Sequence, residues 1–175
     1  MSWAVWLTGP PAAGKTTLAR ALRPLLEEAG VCAIVLESDE LRRVLTPQPT
    51  YEPEERDRFY RTVADLAVLL VGQGFPVLVD ATAPRRAHRD RLRARVPRFL
   101  EIAVTASLAV RQARDPKGLY RRARAGGAPH LPGSTDAYEE PENPDLVLSG
   151  TARAPTGARE ILALLRARGF LEKTL

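Results

Sequence analysis

The chain of 175 residues is poor in the side chains that crosslink small proteins or bind zinc. It has a single cysteine, Cys32, and only two histidines, His88 and His130, which lie far apart in the sequence. These counts exclude an intramolecular disulfide and a cysteine-cluster zinc site, and they predict a reducing, cytoplasmic location. Because Cys32 falls within a predicted strand, we expect it to be a small buried hydrophobe.

The sequence also lacks any long hydrophobic run. No apolar segment approaches the roughly 18 residues of a membrane-spanning helix, and no basic segment precedes the apolar run near the N-terminus. Neither secretion nor membrane insertion is therefore expected. Hydrophobic residues make up 45% and charged residues 27% of the chain, which is typical of one globular domain spanning 1–175.

Lysine is scarce, whereas arginine is abundant and clustered. The 26 basic residues include three lysines and give a net charge of +5. Seven bases lie in 85–98 and six in 111–126, which is half of the total. The first cluster predicts a helix over 85–95 whose arginines, and His88, face solvent. The second is interrupted by acid, proline and glycine, which favours closure over a phosphate rather than binding to nucleic acid.

Strand and helix patterns alternate along the chain. Short apolar runs predict strands at 3–8, 31–36, 76–81, 99–104 and 146–148, and amphipathic segments predict helices between them. This alternation predicts a three-layer α/β fold with a five-stranded parallel sheet covered on both faces. The segment at about 115–143 is rich in glycine, proline and charge, and it is too long for a simple connection. We therefore expect it to form a mobile lid.

Residues 9–16 match the phosphate-binding pattern GxxxxGK[ST] between a predicted strand and a predicted helix. The glycines let backbone N–H groups surround an anion, Lys15 can reach the β and γ phosphates, and the Thr16 hydroxyl can ligate Mg²⁺. The alternative is an ordinary glycine-rich turn. The motif predicts a P-loop NTPase-type fold that binds ATP and Mg²⁺. The residues expected to bind the nucleotide here are Gly9, Ala12, Ala13, Gly14, Lys15, Thr16 and Thr17.

Carboxylates follow the second and third predicted strands, where open parallel sheets bind their ligands. Glu37, Ser38 and Asp39 end the second strand, and Arg42 follows one helical turn later. Asp39 can accept a hydroxyl proton or hold Mg²⁺, and Arg42 can bind an anionic substrate, although the segment also suits a helix N-cap. Asp80 ends the run Val-Leu-Val-Asp and is either a Walker B ligand of Mg²⁺ or a simple turn residue.

The run from Arg114 to Gly126, followed by Gly133, Tyr138-Glu139 and Pro141, resembles the lid of adenylylsulfate (APS) kinases. With the P-loop, the Glu-Ser-Asp segment, Arg56 and the closing Pro-Asp-Leu, the similarity covers most of the chain. The family consists of P-loop kinases of sulfate assimilation that transfer the γ-phosphate of Mg-ATP to the 3′-hydroxyl of APS, giving PAPS. Its members often form dimers, so a homodimer is one expectation.

The resemblance implies a role for each matching position. Asp39 would be the general base, with Lys15 and Arg114 as further catalytic residues. Arg111 and Arg114 would lie at the beginning of the lid, where it covers ATP. The expected magnesium ligands are Thr16, Asp39 and Asp80. The residues implied on the acceptor side are Glu37, Arg42, Tyr51, Arg56, Phe59, Lys117 and Leu131.

Several of these positions depart from the family pattern. Glu37-Ser38 stands where the family usually has Asp-Gly, Phe59 where it has Asn, and Leu131 where it has a Phe that stacks on the APS adenine. The acceptor therefore stays open between APS and another small alcohol, nucleoside or polynucleotide 5′-hydroxyl. A nucleotide-dependent regulatory protein that binds nucleic acid is a further alternative. The intact Lys15, Thr16 and Asp39 favour an enzyme, with nucleic acid not expected as a partner.

Overall fold

The predicted parallel sheet is confirmed in the computed structural model, which describes residues 2–127 and 130–171. All its strand pairs are parallel, in the order β2-β3-β1-β4-β5. The strands are β1 (Ala4–Thr8), β2 (Ile34–Glu37), β3 (Val77–Asp80), β4 (Phe99–Thr105) and β5 (Leu146–Ser149). The helices are α1 (Lys15–Glu28), α2 (Ser38–Leu45), α3 (Pro53–Gly72), α4 (Arg86–Arg93), α5 (Leu108–Arg114), α6 (Leu119–Arg124) and α7 (Ala154–Ala167).

Helices cover both faces of the sheet because the central strand β1 is apolar on both sides. Val5 and Leu7 pack in one core with α1 and α7, whereas Ala4 and Trp6 pack in a second core with α3. Successive strand residues point to opposite faces, so a fully buried strand needs this continuous apolar run. The loop that follows β1 is thereby held between two packed layers.

The strand register brings the predicted carboxylates together. Glu37 pairs with Asp80, and Asp80 pairs with Leu7, one residue before the end of β1. The carboxyl ends of β1, β2 and β3 therefore meet at one edge of the sheet, beside the start of α1.

The prediction that helix 85–95 faces solvent is wrong for its inward side. In α4, His88 is 6% exposed and Arg89 is 1% exposed. The His88 ring stacks on Tyr60, and its Nε2 lies 2.7 Å from Asp57 Oδ1. Burial lowers the pKa of His88, which favours the neutral ring. The helix has an inward face whose polar residues find partners.

Cys32 also departs from expectation, since it is exposed and precedes β2 rather than lying within it. The lid segment contains α6, whose Tyr120 is 1% exposed and donates a hydrogen bond to the Pro11 carbonyl at 2.9 Å. The mobility of the lid stays a prediction, and its residues 128–129 lie outside the described part of the chain. Among the described residues, no helix is both long and apolar enough to cross a membrane.

Candidate active site

A cavity of about 1310 Å³ opens at the carboxyl edge of the sheet. It is larger than the roughly 300–1,000 Å³ of common single-ligand pockets. The P-loop, α2, the lid and the segment after β5 all contribute to its wall. Most of the site residues predicted from the sequence line it: Ala12, Gly14, Lys15, Thr16, Thr17, Glu37, Asp39, Arg42, Tyr51, Arg56, Asp80, Arg114, Lys117 and Leu131.

The P-loop has the backbone conformation of an anion cradle. Ala12 and Gly14 have positive φ angles of 61° and 109°, and α1 begins directly afterwards at Lys15. A β-carbon at Gly9 would lie 2.3 Å from the Val104 carbonyl oxygen, so the loop needs glycine there to pass β4. The first N–H groups of a helix have no partners within it, and the first residues of α1, Lys15 to Thr17, line the cavity, which suits a phosphate.

Lys15 is buried and bound to the loop that it follows. Its Nζ donates to the carbonyls of Gly9 and Pro10 at 2.8 and 3.1 Å and to Thr82 Oγ1 at 3.3 Å. Burial lowers the pKa of Lys15 from 10.5 to about 8, although Asp80 and Asp39 act in the opposite direction. The ammonium group is therefore under-compensated, and phosphate oxygens would stabilise it.

Asp80 is the buried carboxylate opposite Lys15. It is 2% exposed, and in the described part of the chain its Oδ2 has no hydrogen-bond partner. Burial raises the pKa of Asp80, while the charge of Lys15 and the nearby Thr16 hydroxyl lower it. A buried carboxylate oxygen without a partner is costly unless a cation or water occupies the space in front of it. The Asp80 carboxylate lies near the Thr16 hydroxyl, and these two oxygen ligands suit a small divalent cation.

Asp39 lies in the first turn of α2, with its side chain 44% exposed, and forms an ion pair with Lys117 of the lid. The predicted base thus contacts the lid directly. Glu37 lies beside both acids, and its pKa is raised by burial and by the charges of Asp80 and Asp39. Glu37, which is longer than the usual Asp of the family, therefore lies in one acidic group with Asp39 and Asp80.

Two arginines predicted to bind the acceptor line the same cavity. Arg42 forms an ion pair with Glu55, with Nη1 and Oε1 2.7 Å apart. Arg56 donates from Nη2 to the His130 carbonyl at 2.6 Å and from Nη1 to Asp136 at 3.3 Å. One arginine is thus held by α3 and the other by the lid.

The model of the adenylylsulphate kinase family matches residues 1–149 of the chain. The chain belongs to the adenylylsulphate kinase family. An adenylyl-sulfate kinase of Paraburkholderia xenovorans is 44% identical over 168 residues, covering 94% of this chain and 93% of the relative. A probable adenylyl-sulfate kinase of Archaeoglobus fulgidus is 42% identical over 148 residues, covering 85% and 96%.

Solved structures agree with the sequence relatives. The Mycobacterium tuberculosis APS kinase CysC, in complex with AMPPNP and APS, matches with a TM-score of 0.88 at 34% identity, covering 94% of this chain and 98% of that one. The resemblance drawn from the lid run is therefore confirmed, and the protein is a kinase.

Four of the residues predicted to form the site do not line the cavity of this adenylylsulphate kinase family member. They are Gly9, Ala13, Phe59 and Arg111. Arg111 is 7% exposed, and its guanidinium donates to the Tyr120 hydroxyl at 2.6 Å and to the Gly133 carbonyl at 3.3 Å. It holds the lid together, whereas Arg114 lines the cavity and donates to the Gly150 carbonyl at 2.7 Å. Sequence pattern could not separate two arginines three residues apart on one short helix.

Sequence reasoning missed several residues around the site. Thr8 Oγ1 donates to the Thr82 carbonyl at 2.7 Å and lies 2.9 Å from the Tyr138 hydroxyl, which ties β1 to the turn after β3 and to the end of the lid. Gly150 follows β5 and approaches the P-loop. The rule that ligands bind beyond the carboxyl ends of parallel strands would have indicated position 150, had it been applied to the fifth strand.

We expect Gly150→Ala to weaken both folding and ATP binding. The added β-carbon would lie 1.7 Å from the Ala13 carbonyl oxygen, so the P-loop or β5 must move. Such overpacking costs about 1–3 kcal/mol of unfolding free energy. Urea unfolding and ATP titration would measure both effects. Gly72→Ala is the matched control, because a β-carbon there meets nothing within 4 Å. If the two variants had equal unfolding free energies and equal ATP affinities, the close approach of Gly150 to the P-loop would be contradicted.

Proposed function

We propose that this kinase transfers the γ-phosphate of ATP to the 3′-hydroxyl of APS, giving PAPS and ADP. The observation that carries the proposal is one cavity whose wall includes the P-loop, Asp39 and the two arginines Arg42 and Arg56. The nucleotide pair named for the Mycobacterium tuberculosis relative, AMPPNP and APS, supports the same reading. A triphosphate and an anionic nucleotide would both find cationic side chains in this cavity.

The residues of the chain would act mainly by positioning and by charge neutralisation. The P-loop N–H groups and Lys15 bind the phosphates of ATP, and Arg114 approaches from the lid side. Arg42 and Arg56 hold the phosphosulfate so that the 3′-hydroxyl faces the γ-phosphate in line. Asp39 accepts the hydroxyl proton on a carboxylate oxygen, which requires that its ion pair with Lys117 opens as the acceptor enters.

Mg²⁺ fits the acidic side of the cavity. Thr16, Asp80 and Asp39 would hold it, and the partnerless Oδ2 of Asp80 supports this assignment. Among the described residues, no group of three or more acidic, histidine or cysteine side chains could hold a metal ion by itself. That is typical of Mg²⁺, which takes one or two carboxylates and completes its shell with phosphate and water. When bound, the ion would supply charge neutralisation at the phosphate oxygens.

We expect ATP binding to take up a proton above neutral pH. Because the pKa of Lys15 in the free protein is about 8, phosphates that raise this pKa must protonate it at higher pH. The uptake should rise from near zero at about pH 7 toward one proton at about pH 9, and affinity should fall up to tenfold per pH unit above about 8. Titration calorimetry in two buffers of different ionisation enthalpy measures the uptake. Lys117→Arg should retain it, and a pH-independent uptake would contradict the assignment to Lys15.

A coupled ADP-release assay tests the proposed reaction. APS should give turnover well above the ATPase background, whereas small sugar alcohols, nucleosides and 5′-hydroxyl oligonucleotides should not. Turnover with one of these acceptors and none with APS would replace the proposal by that alternative. If an oligonucleotide binds in a way that weakens with salt but is not phosphorylated, the nucleic-acid-binding alternative would be favoured instead.

The resemblance also supports a homodimer, which light scattering on the purified protein would test. A monomer at assay concentration would contradict it. The cytoplasmic location expected from cysteine usage stays a prediction.

A further inference from the structure

Two aromatic rings and one carboxylate surround the Arg42 guanidinium. Its central carbon lies 3.9 Å from the centroid of the Phe59 ring and 4.8 Å from that of Tyr51. Its Nη1 donates to Glu55 at 2.7 Å and to Thr46 at 3.4 Å. Because these bonds use one nitrogen of a fork with five N–H donors, further donors remain for an anion in the cavity.

Glu55 binds two residues that line the cavity. One carboxylate oxygen accepts from Arg42, and the other accepts from the Tyr51 backbone N–H at 2.9 Å. Tyr51 has a φ of 61°, a conformation that costs a residue other than glycine about 1 kcal/mol or more. The hydrogen bond that the Tyr51 N–H donates to Glu55 offsets that cost, so the same carboxylate fixes the arginine and the strained backbone beside it.

Glu55 and Phe59 lie four residues apart on one face of α3, which is the spacing of neighbours on a helix. Phe59 is 2% exposed and packs edge-on against Tyr60, with ring centroids 5.2 Å apart. The same helix contributes Val63 to the core under the sheet. The support for Arg42 is therefore built on a packed helix rather than on a loop.

Arg42 and Tyr51 line the cavity, whereas Glu55 and Phe59 are not among its lining residues. We propose that Glu55 and Phe59 are positioning residues, which hold Arg42 and Tyr51 in the orientation that binds the anionic group of the acceptor. The proposal rests on the proposed function. It also changes the expectation for Phe59, which acts through Arg42 and does not touch the substrate. A free arginine side chain has many rotamers, and fixing it before the substrate arrives removes that entropy cost from binding.

The first test compares Phe59→Leu and Glu55→Gln with matched controls. Phe99→Leu also removes a buried ring of the same core that lies under a guanidinium, that of Arg93 at 5.0 Å. Glu54→Gln neutralises an exposed carboxylate on the same turn of α3. Each site variant should raise the KM for APS by about three- to thirtyfold, the range of desolvated cation–π and charged hydrogen-bond contributions. The KM for ATP and kcat should stay within about twofold in all four variants.

The second test asks whether the effect passes through Arg42. In an Arg42→Gln background, Phe59→Leu should not raise the KM for APS further, because the group that it positions is gone. Glu55→Gln should raise that KM by less than it does in the wild-type background, because only its bond with Tyr51 remains. Full additivity would overturn the proposal, and so would an unchanged or lowered KM for APS in the single variants. Equal rises in the KM for ATP would also overturn it, since they would indicate a general structural effect. A wild-type protein that does not phosphorylate APS would instead overturn the proposed function.

Discussion

Replacing Asp39 with asparagine should lower kcat for APS phosphorylation by at least about 100-fold, the usual size of a general-base contribution. The side chain keeps its shape, so the variant should fold as the wild type does. Asparagine cannot take the hydroxyl proton at neutral pH, and it also loses the charge that pairs with Lys117. The assay is ADP release at saturating ATP and APS.

The matched control is Glu40→Gln, the next acid along α2, whose side chain is 61% exposed and pairs only with Arg43 of the same helix in the described structure. It should leave kcat unchanged. A second readout follows from electrostatics, because the Asp39 charge raises the pKa of Lys15. In Asp39→Asn, the proton uptake on ATP binding should therefore begin at lower pH. A kcat close to that of the wild type would remove Asp39 from the role of base.

Local patterns predicted those parts of the site that depend on strand ends and loops. The apolar runs before Gly9, Glu37 and Asp80 placed all three at strand ends, and parallel pairing then forces those ends to one edge. The P-loop needed only its own residues, since its glycines and helix start are contiguous. For this reason five of the seven residues named from the motif line the cavity, and their binding of the nucleotide stays a prediction.

Partners distant in the sequence could not be predicted in the same way. A charged residue is expected at the surface unless a partner is known, and the partner of Arg111 lies nine residues away while that of Arg42 lies thirteen away. Glu55 was missed because an acid in the first turn of a helix is common and needs no further explanation. The number of arginines thus predicted anion binding but could not indicate which arginines are available for it.

The largest effect on stability should come from Arg89→Leu, which we expect to lower the unfolding free energy by about 3–5 kcal/mol. Arg89 is 1% exposed and Glu101 is 4% exposed, with Nε and Oε1 2.6 Å apart. The same guanidinium donates to the carbonyls of Ala83 and Glu139. Its loss leaves a buried carboxylate with one arginine partner fewer and two carbonyls without their donor. A domain of this size would lose about 6–20 °C in Tm.

The double variant Arg89→Leu/Glu101→Leu separates charge burial from packing. If the cost comes from the Glu101 carboxylate, which then keeps Arg93 as a partner but has lost Arg89, the double variant should be more stable than Arg89→Leu alone, as apolar replacements of buried pairs often are. Arg91→Leu, on the exposed side of α4, should change Tm by about 1–2 °C at most. Thermal unfolding of the three variants would measure this. Equal Tm values for Arg89→Leu and Arg91→Leu would contradict the burial of Arg89 and would favour the solvent-facing helix that the charge of α4 alone predicts.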